Sequence, residues 1–456
     1  MFRPTRRRIL VSIPAVAVAA ACRDKGQDTG LLQPTPAPAR EPEPEDWSPT
    51  GEVDDQAFPY GVQIGDAQST TARLSVHTTE LQITLVLAMA IDDQWQEVDR
   101  QEGLVVEEGL VQLDLEGLSA DTAWSVAIYA SDGSRRSAVT RFRTALDDDI
   151  PERVVVFGAS SCFGGNEPWP NLRHAADERL DFFCLLGDTV YADGSVSKED
   201  FDEHWRYAMQ QTGMRKLCGS TSLIATWDDH EVDNNWTWDD ANIDEVFTNG
   251  LARFSAHLPH IAGGGVAGIW RQLSWGTVLD VFVLDCRSER DAAAEQYISA
   301  AQMDWLKDGL SNSRARFKII LNSVPISDME TVIGSLSEDD RWSGHAEQRT
   351  EILSHIVDNG IEGVLWVSGD VHFAAASTVG QTGQFADNVH EVIAGPSGSF
   401  LNIAVELAAQ VDTQQYPVLF AQWNYTRFSC DPGTGIVNIR FIGDDGDTID
   451  EVDFQL

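Results

Sequence analysis

Short hydrophobic segments separated by turn-forming residues dominate the chain between about Phe58 and Arg143. Within them, apolar and polar residues alternate or run as short apolar blocks, and no helical period is sustained. Turn sequences such as Ser131-Asp132-Gly133 separate neighbouring segments. The pattern predicts a small all-β sandwich with strands at Thr71–Thr78, Leu81–Met89, Val111–Leu115 and Trp124–Tyr129.

The pattern changes after the acidic run Asp147-Asp148-Asp149. Strongly apolar segments now alternate with segments of helical period, which is typical of an α/β domain with its site at the strand ends. The predicted strands are Val154–Phe157, Phe182–Leu186, Leu223–Trp227, Val278–Leu284, Phe317–Leu321 and Val364–Val367. The predicted helices are Lys198–Gln211, Thr248–His257, Ala300–Leu310 and Glu347–Val357.

Chemically reactive side chains follow five of these strands directly. Together they supply a thiol, several carboxylates, a phenol, two histidines and two arginines, which is the donor set of a dinuclear metal centre with a phosphate clamp. The segments are Gly158-Ala159-Ser160-Ser161-Cys162, Gly187-Asp188-Thr189-Val190-Tyr191, Asp228-Asp229-His230-Glu231, Asp285-Cys286-Arg287-Ser288-Glu289-Arg290 and Ser368-Gly369-Asp370-Val371-His372.

Each residue type has a physical reason to be in such a centre. Two cations about 3.5–4 Å apart require a bridging carboxylate, and Asp188 on a tight glycine turn can present both oxygens. Tyr191 can return to the same ion if the chain turns between the two residues. Arg287 and Arg290 can hold phosphate oxygens through the guanidinium fork, which a lysine does not match.

Simpler explanations exist for the same residues. Asp188 and Asp370 beside glycines also suit turns or helix caps, and Cys162 also suits a small buried position. Tyr191 is equally compatible with aromatic packing, and His230 with ordering its own turn. These alternatives apply to single residues, whereas the ordered set after successive strands favours the metal centre.

The ordered set resembles the alkaline phosphatase D family of metallophosphatases, distant kin of purple acid phosphatases. The resemblance covers residues 52–456, because family members carry a small β-domain ahead of the catalytic domain. It implies a four-layer α/β/β/α sandwich at residues 148–456 and a fibronectin type III-like sandwich at residues 52–147. The stretch Leu115–Tyr129 resembles the leucine-turn-aromatic corner of fibronectin type III-like domains, with Trp124 at the aromatic position.

The resemblance also implies ligands and roles. Cys162, Asp188, Tyr191 and His372 would hold a first ion of Fe(III) character, and Asp188 would bridge to a second ion held by Asp229 and Asp370. An oxygen-rich second site favours Ca²⁺, with Zn or Mn as alternatives. His230 would contact phosphate or protonate the leaving group. Asn322 stands roughly where relatives place a histidine ligand, so its role is open, with Asn234 and Asn235 as rival amide donors.

The first residues have the pattern of an export signal. Arg6-Arg7-Arg8 precedes a short apolar run, as in a twin-arginine signal, and Ala19-Ala20-Ala21-Cys22 resembles a lipobox. Residues 1–22 are therefore predicted as a signal that leads to a periplasmic or extracellular lipoprotein lipidated at Cys22. The alternative is a soluble secreted protein. Residues 23–51 are rich in proline and glutamate, which predicts an extended tether between membrane and enzyme.

The net charge limits the kinds of binding partner, and the number of cysteines limits the possible disulfides. The chain has 32 basic and 72 acidic residues, a net charge of −40, so nucleic-acid binding is not expected. If Cys22 is lipidated, five cysteines are left, and an odd number leaves at least one thiol free or metal-bound.

The sequence therefore predicts an exported phosphoric ester hydrolase. Its expected substrate is a small-molecule or lipid phosphomonoester or phosphodiester, because the motifs do not separate the two classes. The alternative is a catalytically inactive surface-binding lipoprotein.

Overall fold

The computed structural model describes residues 7–11, 35–40, 42–291, 294–327, 329, 340–381, 383–407 and 414–456. Arg6, Cys22, most of the predicted export signal and residues 23–34 of the predicted tether lie outside the described residues. Within the described part, no helix is long and apolar enough to cross a membrane.

The amino-terminal region is built of short strands, as its alternating pattern predicts. The strands are β1 (Arg7–Leu10), β2 (Glu52–Val53), β3 (Val62–Gly65), β4 (Thr71–His77), β5 (Gln82–Ile91), β6 (Gln94–Val105), β7 (Leu110–Glu116), β8 (Ala123–Ala130), β9 (Arg135–Arg136) and β10 (Thr140–Arg143). β1, which lies in the predicted export signal, pairs in parallel with β7. Trp124 on β8 is fully buried in the core between the two sheets of this sandwich.

The following region alternates strands and helices. Its strands are β11 (Val155–Ser160), β12 (Phe182–Leu186), β13 (Ser222–Thr226), β14 (Arg271–Trp275), β15 (Leu279–Val283), β16 (Phe317–Leu321), β17 (Val364–Ser368), β18 (Ala374–Thr378), β19 (His390–Ile393), β20 (Val418–Phe420), β21 (Asn424–Asp431), β22 (Ile436–Gly443) and β23 (Thr448–Gln455). Its helices are α1 (Pro170–Asp177), α2 (Lys198–Gln210), α3 (Thr212–Cys218), α4 (Ile243–His257), α5 (Ala300–Asn312), α6 (Ala346–Asp358) and α7 (Ala404–Leu407).

Three sheets organise these strands. The first has ten strands in the order β1-β7-β4-β3-β13-β12-β11-β21-β22-β23, and the third has seven in the order β14-β15-β16-β17-β19-β18-β20. The second has the order β2-β9-β8-β5-β6, with β10 also paired to β8, and forms the other layer of the amino-terminal sandwich. The first sheet crosses the predicted boundary at residue 148, because β3 pairs with β13 where Gly65 meets Leu223.

The first and third sheets pack face to face around one apolar core, which contains Phe157, Phe182, Val281 and Ile319. Helices α1 to α4 cover the outer face of the first sheet, and α5 and α6 cover that of the third. The arrangement confirms the expected α/β/β/α sandwich. Each of these sheets packs against the core with one face and against helices with the other. Their strands are therefore buried on both faces, which explains their continuous apolar sequences.

Part of the predicted tether does not extend away from the protein. Residues 35–40 and 42–47, here called the strap, lie against the body of the molecule. Val154 donates a backbone hydrogen bond of 2.9 Å to Pro38. The strap residue Glu43, whose side chain is 4% exposed, accepts from Arg143 at 3.3 Å and from Arg179 at 3.2 Å. The expectation of a free spacer is therefore wrong for these residues, because buried ion pairs hold them.

Candidate metal centre

The predicted site residues converge at one edge of the two packed sheets. β11, β12 and β13 are parallel neighbours in the first sheet, and β15, β16 and β17 are parallel neighbours in the third. Their carboxyl ends therefore bring together residues that are far apart in sequence. The residues after these ends include Cys162, Asp188, Asp229, Arg287 and His372.

A first group of donors joins both sheets. Ligand atoms of Cys162, Asp188 and His372 all lie within 4.8 Å of one another. The Tyr191 hydroxyl is 3.2 Å from Asp188 Oδ2 and 3.4 Å from His372 Nε2, so the phenol belongs to the same group. Ser399 Oγ lies 3.2 Å from the same histidine nitrogen. The structure therefore brings together all four residues predicted for the first ion.

The backbone at these donors is strained. Cys162, Asp188, Asp370 and His372 have φ angles of 54°, 53°, 67° and 61°, in the left-handed region that non-glycine residues rarely adopt. Such conformations cluster at functional sites, where the surrounding structure overrides the local cost of about 1–3 kcal/mol per residue.

The turn before Asp188 requires a glycine. Gly187 has a φ of 105°, and a Cβ on it would lie 2.5 Å from the Cβ of Asp228. This close approach lets the ends of β12 and β13 lie side by side. As a result, the two carboxylate-bearing turns are in contact.

A second group of donors shares Asp188 with the first. Ligand atoms of Asp188, Asp229 and His230 lie within 4.8 Å of one another. Asp229 Oδ2 accepts a 2.6 Å hydrogen bond from the backbone of Asn235. With the Asn235 amide turned so that its nitrogen faces the carboxylates, this nitrogen is 3.0 Å from Asp229 Oδ2. Both asparagines are exposed, but Asn235 is a hydrogen-bond partner of the predicted ligand Asp229, whereas Asn234 is not.

The site concentrates negative charge that the chain itself only partly neutralises. Burial raises the pKa of Asp188 well above its usual range, and the neighbouring Asp229 and Asp228 raise it further. Burial and the charge of Asp188 likewise raise the pKa of the Cys162 thiol. Asp188 Oδ1 and Asp228 Oδ2 are buried without a hydrogen-bond partner. Bound cations would provide the missing partner, so the donor set fits metal ions.

Glu231 holds the turns in place. Its carboxylate accepts backbone hydrogen bonds from Asp188 at 3.1 Å, from Thr189 at 2.6 Å and from Asp228 at 2.9 Å. It is fully buried between the ends of β12 and β13. The sequence motif Asp228-Asp229-His230-Glu231 contains this residue, but its positioning role depends on contacts that the motif does not reveal.

His230 has a carboxylate partner that the sequence did not indicate. Its Nδ1 lies 2.7 Å and 2.9 Å from the two oxygens of Asp193, and its ring centroid is 4.1 Å from that of Tyr191. Although burial opposes protonation, the Asp193 hydrogen bond and the charge of Asp229 raise the pKa of His230 to about 9. Asp193 follows the predicted segment by two residues, so only its position in that loop hinted at a role.

The guanidinium groups of the two predicted arginines are largely engaged in hydrogen bonds within the protein. Arg287 is buried and donates through Nε to Asp228 and through Nη1 to Asp340. Arg290 donates through Nη1 to Asp340 and through Nη2 to the carbonyl of Trp236 at 3.0 Å. Arg287 Nη2 has no hydrogen-bond partner and lies 3.7 Å from Asp229 Oδ1. Of the predicted clamp, this nitrogen is the group that faces Asp229, which the sequence predicts as a ligand of the second ion.

Two other predicted residues lie differently from the expectation. Asp370 belongs to neither close donor group, although burial and the charge of Asp228 raise its pKa. Asn322 is fully buried, and its oxygen accepts from Cys286 Sγ at 2.9 Å and from Trp342 Nε1 at 3.2 Å. Its amide is thus engaged in the core under α6 rather than among the donor groups.

The five described cysteines are all buried and free of disulfides. Four of them, Cys184, Cys218, Cys286 and Cys430, lie outside the two donor groups, and burial raises the pKa of each thiol. The odd count noted in the sequence therefore reflects unpaired core thiols together with Cys162 at the site.

A model of one protein family matches the part of the chain that carries this centre. Residues 157–426 match the family described as PhoD-like phosphatase. The chain belongs to this family. The match covers every strand end from β11 to β17, so the family assignment and the donor geometry rest on the same segment. Membership confirms the resemblance that the ordered motifs indicated.

Comparisons with individual proteins agree with the family assignment. The chain is similar to alkaline phosphatase D of Bacillus subtilis (strain 168), with 21% identity over 54% of this chain and 51% of the relative. The match thus spans about half the length of that curated relative. A solved structure of PhoD superposes with a TM-score of 0.74 at 17% identity, covering 90% of both chains.

The purple acid phosphatase PPD1 from yellow lupin seeds has a similar fold. It superposes with a TM-score of 0.59 at 11% identity, covering 87% of this chain and 74% of that one. At such low identities the two structures establish the fold alone. They confirm the predicted metallophosphatase sandwich for this PhoD-like chain.

Proposed function

We propose that this protein hydrolyses phosphoric esters with a dinuclear metal centre that activates water for attack on phosphorus. One observation carries the proposal: two close donor groups share Asp188, one containing Cys162 and His372 and the other Asp229 and His230. A shared carboxylate is what two neighbouring cations require. The donor positions are intact, which argues against the alternative of an inactive surface-binding lipoprotein.

The donor types support an iron-type first ion. A thiolate, a phenolate, an imidazole and a carboxylate from Cys162, Tyr191, His372 and Asp188 would hold it, and anionic sulfur and oxygen donors suit Fe(III). The second ion would be held by Asp188 and Asp229, with Ca²⁺ as our first choice and Zn or Mn as alternatives. When bound, the two ions would act as Lewis acids on the phosphate and lower the pKa of the attacking water toward about 7.

The protein's own groups would orient and complete the reaction. Arg287 Nη2, buried without a partner beside Asp229, is placed to donate to a phosphate oxygen. His230 would protonate the leaving oxygen, and Asp193 would hold its ring in the required orientation. Glu231 would keep the two ligand-bearing turns together.

We also propose that the protein is exported by the twin-arginine route and anchored through Cys22. The support is the sequence Arg6-Arg7-Arg8 followed by an apolar run and Ala19-Ala20-Ala21-Cys22. Replacing Cys22 by alanine should release the protein from the membrane with its specific activity unchanged. A variant that stays in the membrane fraction would contradict the anchor.

Metal analysis of protein purified after native export tests the centre. We expect iron and calcium in about equal amounts, with a violet-brown colour from phenolate-to-Fe(III) charge transfer that Tyr191→Phe abolishes. Two zinc ions without iron would overturn the assignment of the first ion. Activity on phosphomonoester and phosphodiester panels, assayed on the same preparation, tests the hydrolase function. A fully metallated protein inactive on both panels would overturn it.

A further inference from the structure

A cavity opens at the end of the third sheet opposite the metal centre. It has a volume of about 620 Å³ and lies between the edge strand β14 and the second half of α5. Thr277 and Ala315, which line it, precede β15 and β16, whereas the metal centre follows the carboxyl ends of strands in the same sheet. Strands of five residues separate the two places by on the order of 15 Å, so the cavity is not part of the catalytic site.

One face of a strand and one face of a helix line the cavity. Gln272 and Ser274, two residues apart on β14, face the same side of the sheet. Trp305, Asp308 and Asn312 lie on one face of α5, at spacings of three and four residues. The Trp305 ring packs against Trp270 at a centroid distance of 4.9 Å and against Phe282 at 5.9 Å, and this half-buried residue contributes to the cavity lining.

The lining carries three carboxylates, Asp148, Asp280 and Asp308, and one cation, Arg314, so it is acidic overall. Asp280 accepts from the hydroxyls of Ser274 at 2.6 Å and Ser313 at 2.5 Å. Arg314 donates to Asp148 at 2.5 Å. Because Arg314 is the lone cation of the lining and is already paired, the cavity offers little to a phosphate or another anion.

Several uncharged and acceptor groups are left without protein partners. Among the described residues, the Gln272 amide, the Trp305 indole N–H and the Asp308 carboxylate make no side-chain hydrogen bond, and the Asn312 oxygen accepts none. A half-buried indole beside the Gln272 amide, the Asn312 oxygen and the Asp308 carboxylate suits a ligand with an apolar ring face and hydroxyls on its edge. A ligand pocket of 300–1,000 Å³ is the usual size for such small molecules.

We infer that this cavity binds a neutral sugar, with one ring stacked on Trp305 and its hydroxyls hydrogen-bonded to Gln272, Asp308 and Asn312. Hydroxyls both donate and accept, which matches a lining that mixes amides with a carboxylate. The inference does not rest on the proposed hydrolase function. It adds a second binding site, which would hold the protein on a glycan while the metal centre at the opposite end stays accessible.

The test follows Trp305 directly by ¹⁹F NMR of the full chain labelled with 5-fluorotryptophan, with its resonance assigned by Trp305→Phe. The probes are glucose, galactose, N-acetylglucosamine and their disaccharides, with choline chloride and inorganic phosphate as non-sugar probes. We expect at least one sugar to shift the Trp305 resonance saturably, with a dissociation constant on the order of 0.1–10 mM.

Matched variants test whether the sugar binds in this cavity. Gln272→Ala and Asp308→Ala should each weaken sugar binding at least about tenfold, a change of about 1.4 kcal/mol. Asp304→Ala, on the same helix but outside the lining, should leave binding unchanged. All three should hydrolyse p-nitrophenyl phosphate like the parent protein. The inference fails if no sugar gives a saturable shift, if Gln272→Ala and Asp308→Ala bind as well as the parent, or if choline alone shifts Trp305.

Discussion

Two buried clusters of charge lie at opposite ends of β11 and β12, and they differ in how they are neutralised. Before the strands, the strap cluster combines Glu43, Asp121 and Asp181 with Arg40, Arg141, Arg143, Arg153 and Arg179, and the exposed Asp46 lies at its rim. After the strands, the metal centre gathers carboxylates around Asp188 with few cations. Arg153 and Arg40 outweigh burial and lower the pKa of Asp181 to about 2, whereas burial and like charges raise that of Asp188.

The difference separates a structural cluster from a functional one. Buried ions that are fully paired hold parts of a chain together, and here they join the strap, the amino-terminal sandwich and the catalytic region. Buried carboxylates left without counter-charge destabilise the fold until a cation arrives. Loss of one charge should therefore have opposite effects on stability in the two clusters.

The largest effect is expected at the metal centre. Asp188→Asn should lower kcat/KM by at least about 10³-fold, on the order of 4 kcal/mol, because a neutral amide bridges two cations poorly. After chelation of all metal, the same variant should melt at a higher temperature than the chelated parent, since it removes uncompensated negative charge. Activity assays and thermal melts with and without chelator measure both. A lower melting temperature for the chelated variant would contradict the proposed charge imbalance.

The matched change in the strap cluster should act in the opposite direction. Asp181→Asn leaves Arg153 and Arg40 near a neutral group, which should destabilise the fold by about 3 kcal/mol. Metal content and kcat should stay close to the parent values at temperatures where the variant is folded. Urea unfolding with parallel metal analysis is the measurement, and an unchanged free energy of unfolding would show that the pairing contributes nothing.

Acid should weaken the strap cluster through Asp181. Its pKa is lowered from 3.8 to about 2 on folding, so its contribution is complete above the unfolded value and falls as pH drops toward the folded one. The contribution is about 2 kcal/mol, of which roughly half is lost by about pH 3. The stability difference between the parent and Asp181→Asn should therefore shrink between about pH 5 and about pH 3. A difference independent of pH would argue against this linkage.

The smallest expected effect concerns the orientation of His230. Asp193→Asn should lower kcat about tenfold on alkyl phosphates, about 1.4 kcal/mol, and less on p-nitrophenyl phosphate, whose leaving group needs no proton. His230→Ala should show the same selectivity more strongly. Asp233→Asn is the comparison variant: Asp233 accepts from the backbone of Gly194 beside Asp193 but makes no contact with the ring, so it separates the position of the loop from the ring contact. Equal losses on both esters would mean that His230 binds phosphate or positions a ligand.

Much of the fold followed from the pattern of apolar residues. The predicted helix Lys198–Gln211 is α2 to within one residue, and the strands Phe182–Leu186 and Phe317–Leu321 are observed with the same bounds. The helix predicted at Thr248–His257 begins earlier, at Ile243, because its first turn carries the acidic Asp244 and Glu245 beside buried apolar residues. The carboxyl-terminal strands β21 to β23 were not predicted, although Val437, Ile439 and Phe441 on β22 alternate with less buried residues. β21 pairs antiparallel with β11, and β22 and β23 follow it as antiparallel neighbours.

The sequence by itself determined which residue types follow each buried strand, because strand ends can be located from local hydrophobicity. The resemblance of the ordered motifs to one family predicted Cys162, Asp188, Tyr191 and His372 as one ligand set, and the fold brings them together. Only the tertiary structure decided the partners that come from unrelated loops. Asp340 accepts hydrogen bonds from both Arg287 and Arg290, and Asp193 pairs with His230. The amide of Asn322 is hydrogen-bonded within the core. The physical reason is that such pairings depend on side-chain reach across elements distant in sequence, about which local composition carries no signal.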